Sequence, residues 1–170
     1  SITPDYCRKA KKVIVEVNTQ VPRCLGGLDE GIHISKITMV VEGPNTPLLQ
    51  LPTTHASDAD RLIAQHVMGL LEDGSTIQLG IGGLPNIVGE MIAQSDLKDL
   101  GVHTEMLADS YVDMYEAGRI TGKHKAIDRY KMTYTFAMGT QKLYDFLDNN
   151  PAAAIFPASY TNDPCVIGRN

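Results

Sequence analysis

Twice after residue 75, a strand-like run empties into glycine and an amphipathic helical pattern follows at once. Thr76-Ile77-Gln78-Leu79 leads into Gly80-Ile81-Gly82-Gly83, after which Ile87, Val88, Met91 and Ile92 recur at helical spacing. Met132, Tyr134, Phe136 and Met138 alternate with Thr133 and Thr135 and reach Gly139. Leu143, Tyr144 and Leu147 then mark the face of another helix. Strands separated by helices cannot pair as hairpins; they pair in parallel through crossovers. The expected fold class is therefore α/β, with open, largely parallel sheets and helices flanking both faces.

The remaining punctuation fits that plan. Val13 to Val17 is a β-branched run suited to a strand, and a helix ending within Asp5 to Lys12 precedes it. Pro22 to His55 is rich in Gly and Pro, with one strand-like piece at Ile37 to Val41. Ser57 is a good N-cap for a helix carrying Leu62, Ile63, Val67, Leu70 and Leu71, which Asp73-Gly74 ends. Pro85 is expected at the first position of the helix after the glycine turn. Further expectations are a strand at Val102 to Leu107, a helix at Val112 to Ala117 stopped by Gly118, and a strand opening at Ile155-Phe156. A boundary near Gly74 divides residues 1–74, the tail of one α/β domain, from 75–170, the first half of another. The abrupt ends at Ser1 and Asn170 read as those of a segment of something longer.

Charge and cysteine usage narrow the function classes. Fifteen basic against twenty acidic side chains give a formal charge of −5, which repels nucleic acid and anionic membranes. No run approaches the length of a membrane span. Cys7, Cys24 and Cys165 form neither a CxxC pair nor a disulfide framework, so they read as buried small hydrophobes in a reducing cytoplasm.

Three places are candidates for chemistry. A strand delivering Gly80-Ile81-Gly82-Gly83 into a helix N-terminus presents backbone N–H groups and a positive dipole end to a phosphate, carboxylate or oxyanion. The alternative is that these glycines only permit a tight turn. Pro85 stands where a dinucleotide fingerprint needs glycine, which argues against a nicotinamide site. Glu105 closes a strand, and carboxyl ends of strands line the ligand crevice of open α/β sheets. It is either a nucleophile or base, or a solvated surface carboxylate. No metal site is expected from His103 and Glu105. The basic stretch Arg119, Lys123, His124, Lys125, Arg129 and Lys131 is either a lure for phosphates or a solvated loop. Met138-Gly139-Thr140 offers a second backbone contact to a ligand.

Taken together these segments are more specific. KVIVEVNTQVPR from Lys12, QLGIGGLPNIV from Gln78, GVHTEM from Gly101, MGTQKLYDFLDNNP from Met138 and YTND from Tyr160 stand in one order and spacing. In this the chain resembles the acetyl-CoA hydrolase/transferase family, and within it the butyryl-CoA:acetate and 4-hydroxybutyrate CoA-transferases. The resemblance implies a CoA-transferase-like fold, incomplete here, with parts of two domains and the active site between them. It implies that the glutamate of the H-[ST]-E-M segment, Glu105, is the nucleophile. It places Gln78, Gly80, Ile81, Gly82 and Gly83 at the acyl-CoA site, with Met138 and Gly139 as the further backbone contact. The substrates would be an acyl-CoA and a carboxylate such as acetate, with no permanently bound cofactor and homo-oligomeric assembly. Hydrolysis of acyl-CoA is the rival activity. The family's later S-G-x-G-G-Q region and much of its first domain are absent, so a non-catalytic piece completed by other chain is the rival from another class.

Overall fold

The computed structural model describes residues 1–52 and 54–170. Helix α1 (Thr3–Lys9) leads to a two-stranded parallel sheet of β1 (Ile14–Val17) and β2 (Met39–Glu42), with Ile14 opposite Met39. One 3₁₀ turn, Ile34–Lys36, lies between the two strands. Parallel pairs are normally covered on both faces, yet Ile14, Met39, Val40 and Val41 are all exposed.

Helix α2 (Asp58–Met68) starts at the expected cap. Ser57 Oγ accepts from the Asp60 N–H, and the Asp60 carboxylate accepts from the Ser57 N–H, closing a capping box. The helix ends at Met68, five residues before Asp73. Gly69 caps it there, and Leu70, expected on its apolar face, is exposed.

From residue 76 a four-stranded, all-parallel sheet is assembled in the order β3 (Thr76–Ile77), β4 (Gly101–His103), β6 (Met132–Tyr134) and β8 (Ala153–Ile155). β5 (Met106–Leu107) and β7 (Phe136–Ala137) pair beyond it as a short parallel extension. The expected strands at 102–107 and 132–138 are each therefore broken in two, at Thr104-Glu105 and at Thr135. Helices α3 (Gly83–Gln94), α4 (Asp109–Glu116) and α5 (Gln141–Leu147) make the crossovers, and each packs on the next. Pro85 is the third residue of α3 rather than the first. The whole first turn lacks intrahelical acceptors for its N–H groups, so proline costs nothing there. α4 begins three residues before Val112. The expected strand at Ile155-Phe156 is β8 and begins at Ala153. Two single-turn helices that the residue pattern did not suggest, α6 (Ala158–Thr161) and α7 (Pro164–Ile167), close the described chain.

The core lies between β3, β4, β6, β8 and the helices. Ile87, Val88, Ile92, Val102, Leu107, Tyr111, Met132, Leu143 and Leu147 are buried in one cluster. The first 50 residues dock onto this unit: Gly26 bridges Ile155, and the Ile155 N–H donates to Leu25 O at 2.9 Å. The cysteines depart from expectation, since Cys165 is exposed and Cys7 and Cys24 are only half-buried; all three are free thiols.

Part of the basic stretch packs onto the sheet. Lys125 is buried, and its ammonium donates to Val102 O (2.8 Å), Lys131 O (2.9 Å) and Thr133 Oγ1 (2.9 Å), stitching β4 to β6. Lys123 pairs with Asp99, Arg119 Nε donates to Ala93 O, and Lys131 Nζ donates to Pro151 O. Lys125 is thus a buried structural cation, neither a phosphate lure nor a solvated side chain, while His124 and Arg129 of the same stretch are exposed. Burial pushes the Lys125 ammonium down to about 8, against an opposing pull from Asp128. Below pH 8 folded and unfolded chains both carry the charge, and folding bears the full desolvation cost. Between pH 8 and 10.5 the folded chain sheds its proton first, so stability rises with pH. The interval corresponds to about 3 kcal/mol. In denaturant unfolding the wild type should gain on Lys125→Met by roughly that amount between pH 7.5 and 10.5; a constant gap would show no depressed lysine.

Candidate active site

The carboxyl ends of the parallel strands share one edge, and the positions singled out from sequence collect there. After β3 come Gln78, which is exposed, and Leu79; Gly80 follows in open space and Ile81 is half exposed. Gly82 is the N-cap of α3 with φ +116° and ψ −179°, a backbone state essentially reserved for glycine. Gly83 opens the helix. Met138 and Gly139 follow β7. An added Cβ on Gly139 would stand 2.6 Å from Asp109 Oδ2, so this glycine lets a carboxylate reach the backbone. Asp109 accepts from the Thr140 N–H (3.0 Å) and from Thr140 Oγ1 (2.7 Å), capping α5 from another helix.

Ile81, Gly82 and Met138 line one cleft of about 730 Å³, together with Asn86, Asp109 and Ser110. Gln78, Gly80, Gly83, Gly139 and Glu105 are not part of its wall. The segment around Leu51 lies along its rim: the Leu51 N–H donates to Gly139 O, and Asn86 Nδ2 donates to Thr54 O.

Glu105 occupies the break in the β4–β5 strand. Gly101, Val102, His103 and Thr104 before it are buried, as are Leu107 and Ala108 after it; Glu105 alone of this segment is exposed. Its backbone is fixed from both sides. Its carbonyl accepts from the N–H groups of Thr135 (3.0 Å) and Phe136 (3.2 Å), and Thr104 Oγ1 donates across it to Met106 O (2.9 Å). The Ser1 nitrogen donates to Thr135 O (2.6 Å) and Phe156 O (3.3 Å).

His103 and Glu105 are two residues apart, a spacing that would place both on one face of a regular strand. Their environments separate them. His103 is buried, its Nε2 against Thr161 O (2.9 Å) and its Nδ1 against Asn170 Nδ2 (3.1 Å). Among the described residues no group of three His, Cys, Asp or Glu is placed to hold a metal. Likewise, among them no helix is long and apolar enough to cross a membrane. The sequence reading passed over Tyr111 and the clasp of Asp109 on Thr140. A threonine just before a helical pattern is a capping signal that points to the second; contacts across 31 or 32 residues leave no local trace of either partner.

Comparison with known proteins completes this picture. Residues 1–52 match the acetyl-CoA hydrolase/transferase N-terminal domain and residues 139–170 the C-terminal domain of the same family. The chain is 56% identical to butyryl-CoA:acetate CoA-transferase of Anaerostipes caccae, over 91% of this chain and 35% of that protein. It is 40% identical to 4-hydroxybutyrate coenzyme A transferase of Clostridium kluyveri, over 99% of this chain and 39% of that one. Among solved structures it superposes on RipA from Yersinia pestis with a TM-score of 0.91 and 37% identity, covering 99% of this chain and 38% of that one. The chain therefore spans little more than a third of the length of the relatives it matches. Both domain models and a fold shared over its whole length assign this α/β chain to the acetyl-CoA hydrolase/transferase family.

Proposed function

We propose that this chain carries the nucleophile and part of the acyl-CoA site of a CoA-transferase acting on a short acyl-CoA such as butyryl-CoA and on a carboxylate such as acetate. The observation that carries this reading is Glu105, a lone exposed carboxylate at the carboxyl end of a buried strand, with its backbone held on both flanks. The names of the relatives supply the substrate class.

Glu105 attacks the thioester carbonyl of acyl-CoA, giving an acyl-glutamyl anhydride and CoA thiolate. The thiolate attacks the glutamyl carbonyl, leaving a glutamyl–CoA thioester and releasing the first carboxylate. The acceptor carboxylate then attacks that thioester, forming a new anhydride and freeing the thiolate. The thiolate takes the acceptor's acyl group and restores Glu105. A carboxylate suits this chemistry because the anhydride conserves the acyl group's energy and the attacking group needs no general base at neutral pH. Backbone N–H groups at Gly82-Gly83, on the positive end of α3, supply fixed donors for the developing oxyanion. Gln78, Gly80, Ile81, Met138 and Gly139 line the approach of the acyl-CoA. CoA enters and leaves as substrate, with no resident cofactor in the scheme.

The reading extends to the assembly. Residues 1–74 form the tail of one domain and 75–170 the first half of the next, in a full-length, cytoplasmic, homo-oligomeric enzyme. Further chain covers the bare β1–β2 sheet and shields Glu105 from water, without which the anhydride would hydrolyse. The test is mass spectrometry of the full-length protein after incubation with butyryl-CoA, with peptide mapping. A CoA-sized adduct on Glu105 is expected, and its absence would sink the assignment. Product formation that ignores acetate would make the enzyme a hydrolase instead.

A further inference from the structure

The register of β3 against β4 pairs Thr76 with Gly101 and Ile77 with Val102. Continued by two residues, it would pair Leu79 with Thr104. The ladder stops instead, and the expected strand at 76–79 is cut to two residues. At the point of divergence stands the hydroxyl of Tyr111, a fully buried side chain on α4. It accepts from the Leu79 N–H at 2.5 Å and donates to Leu79 O at 3.2 Å, taking both backbone valences that β4 would have met. Thr104, which the ladder would have set against Leu79, instead gives its N–H to Thr133 O (2.9 Å) and its hydroxyl to Met106 O (2.9 Å).

Leu79 immediately precedes the Gly80–Gly83 turn, and Thr104 immediately precedes Glu105. We propose that Tyr111 is a positioning residue: its hydroxyl wedges β3 from β4 and sets the separation between the glycine turn and Glu105. This rests on the reading of Glu105 as the nucleophile. The phenol touches no reacting atom and acts only through the backbone of Leu79. Burial raises its pKa, so it stays a neutral donor and acceptor across the working range. A purely structural tyrosine would affect stability alone. A wedge would also control how often the carboxylate and the donors meet the thioester together, and misplacement of about 1 Å can cost roughly 100-fold.

The experiment is the rate of glutamyl–CoA formation from butyryl-CoA in the full-length enzyme, for wild type, Tyr111→Phe and Leu147→Ala. Leu147, buried in α5, loosens the core away from the two strands. Tyr111→Phe should form the adduct about 100-fold more slowly, with KM for acyl-CoA within about threefold of wild type. Leu147→Ala should keep the wild-type rate per folded molecule. An unchanged rate in Tyr111→Phe, or an equal loss in Leu147→Ala, overturns the wedge. If Tyr111→Phe does not fold, amide hydrogen exchange of the wild type decides: the Leu79 N–H should be strongly protected although it lies outside the β3 ladder, and free exchange there overturns the proposal. A wild type that never labels Glu105 removes the underlying reading as well, and is distinguishable from all of these.

Discussion

Glu105→Ala in the full-length enzyme is expected to abolish transfer between butyryl-CoA and acetate, by on the order of 10⁴-fold or more. The expectation follows from a covalent route: without the carboxylate there is neither anhydride nor glutamyl thioester, and the remaining fixed donors have nothing to stabilise. Glu105→Asp is the sharper variant. It keeps the charge but withdraws it by one methylene from a backbone that cannot follow. That backbone is held at its own carbonyl by Thr135 and Phe136, and across it by the Thr104–Met106 hydrogen bond. A loss of roughly 100-fold is expected, with the adduct still detectable on the aspartate. Steady-state kinetics with mass spectrometry checks both. A near-normal rate in Glu105→Asp would make the carboxylate an electrostatic helper, since charge alone tolerates an ångström that bond formation does not.

The sequence made the order of elements legible because that order is written in local signals. Ser57 as an N-cap, the stripe of Ile87, Val88 and Ile92, and the alternation at Met132 to Tyr134 each specify an element through neighbours within four residues. Where the reading went astray, a distant partner had intervened. β3 is shorter than its residues suggest because Tyr111, 32 positions away, takes the backbone of Leu79. Lys125 looked like a surface cation because nothing nearby in sequence announces the carbonyls of Val102 and Lys131 that surround it. The broken strand at Glu105 was equally invisible. Six of its eight residues from Gly101 to Ala108 are buried, and periodicity alone describes a continuous strand there. The glycines divide the same way: their presence marked a turn, while the demand on Gly82 lies in a φ value and that on Gly139 in the approach of Asp109.

That division makes Gly82→Ala the second large expected effect. At φ +116° and ψ −179° an alanine costs on the order of 1–3 kcal/mol, and the cheapest relief is rotation of the peptides on either side of residue 82. Rotation turns the neighbouring N–H groups away from the carbonyl oxygen they are proposed to hold. Losing one such donor typically costs 10²–10³ in kcat. Gly118→Ala supplies the comparison. Gly118 also has positive φ, +75°, in open space at the end of α4, so its alanine is strained without touching the site. Thermal melts should show both variants lowered, and only Gly82→Ala should lose kcat by about 100-fold or more. If the two lose activity alike, strain accounts for the effect, and the oxyanion donors must be sought elsewhere along the strand ends. If Gly82→Ala alone is slow, the turn acts in the transition state, and its glycine is required by chemistry as well as by the fold.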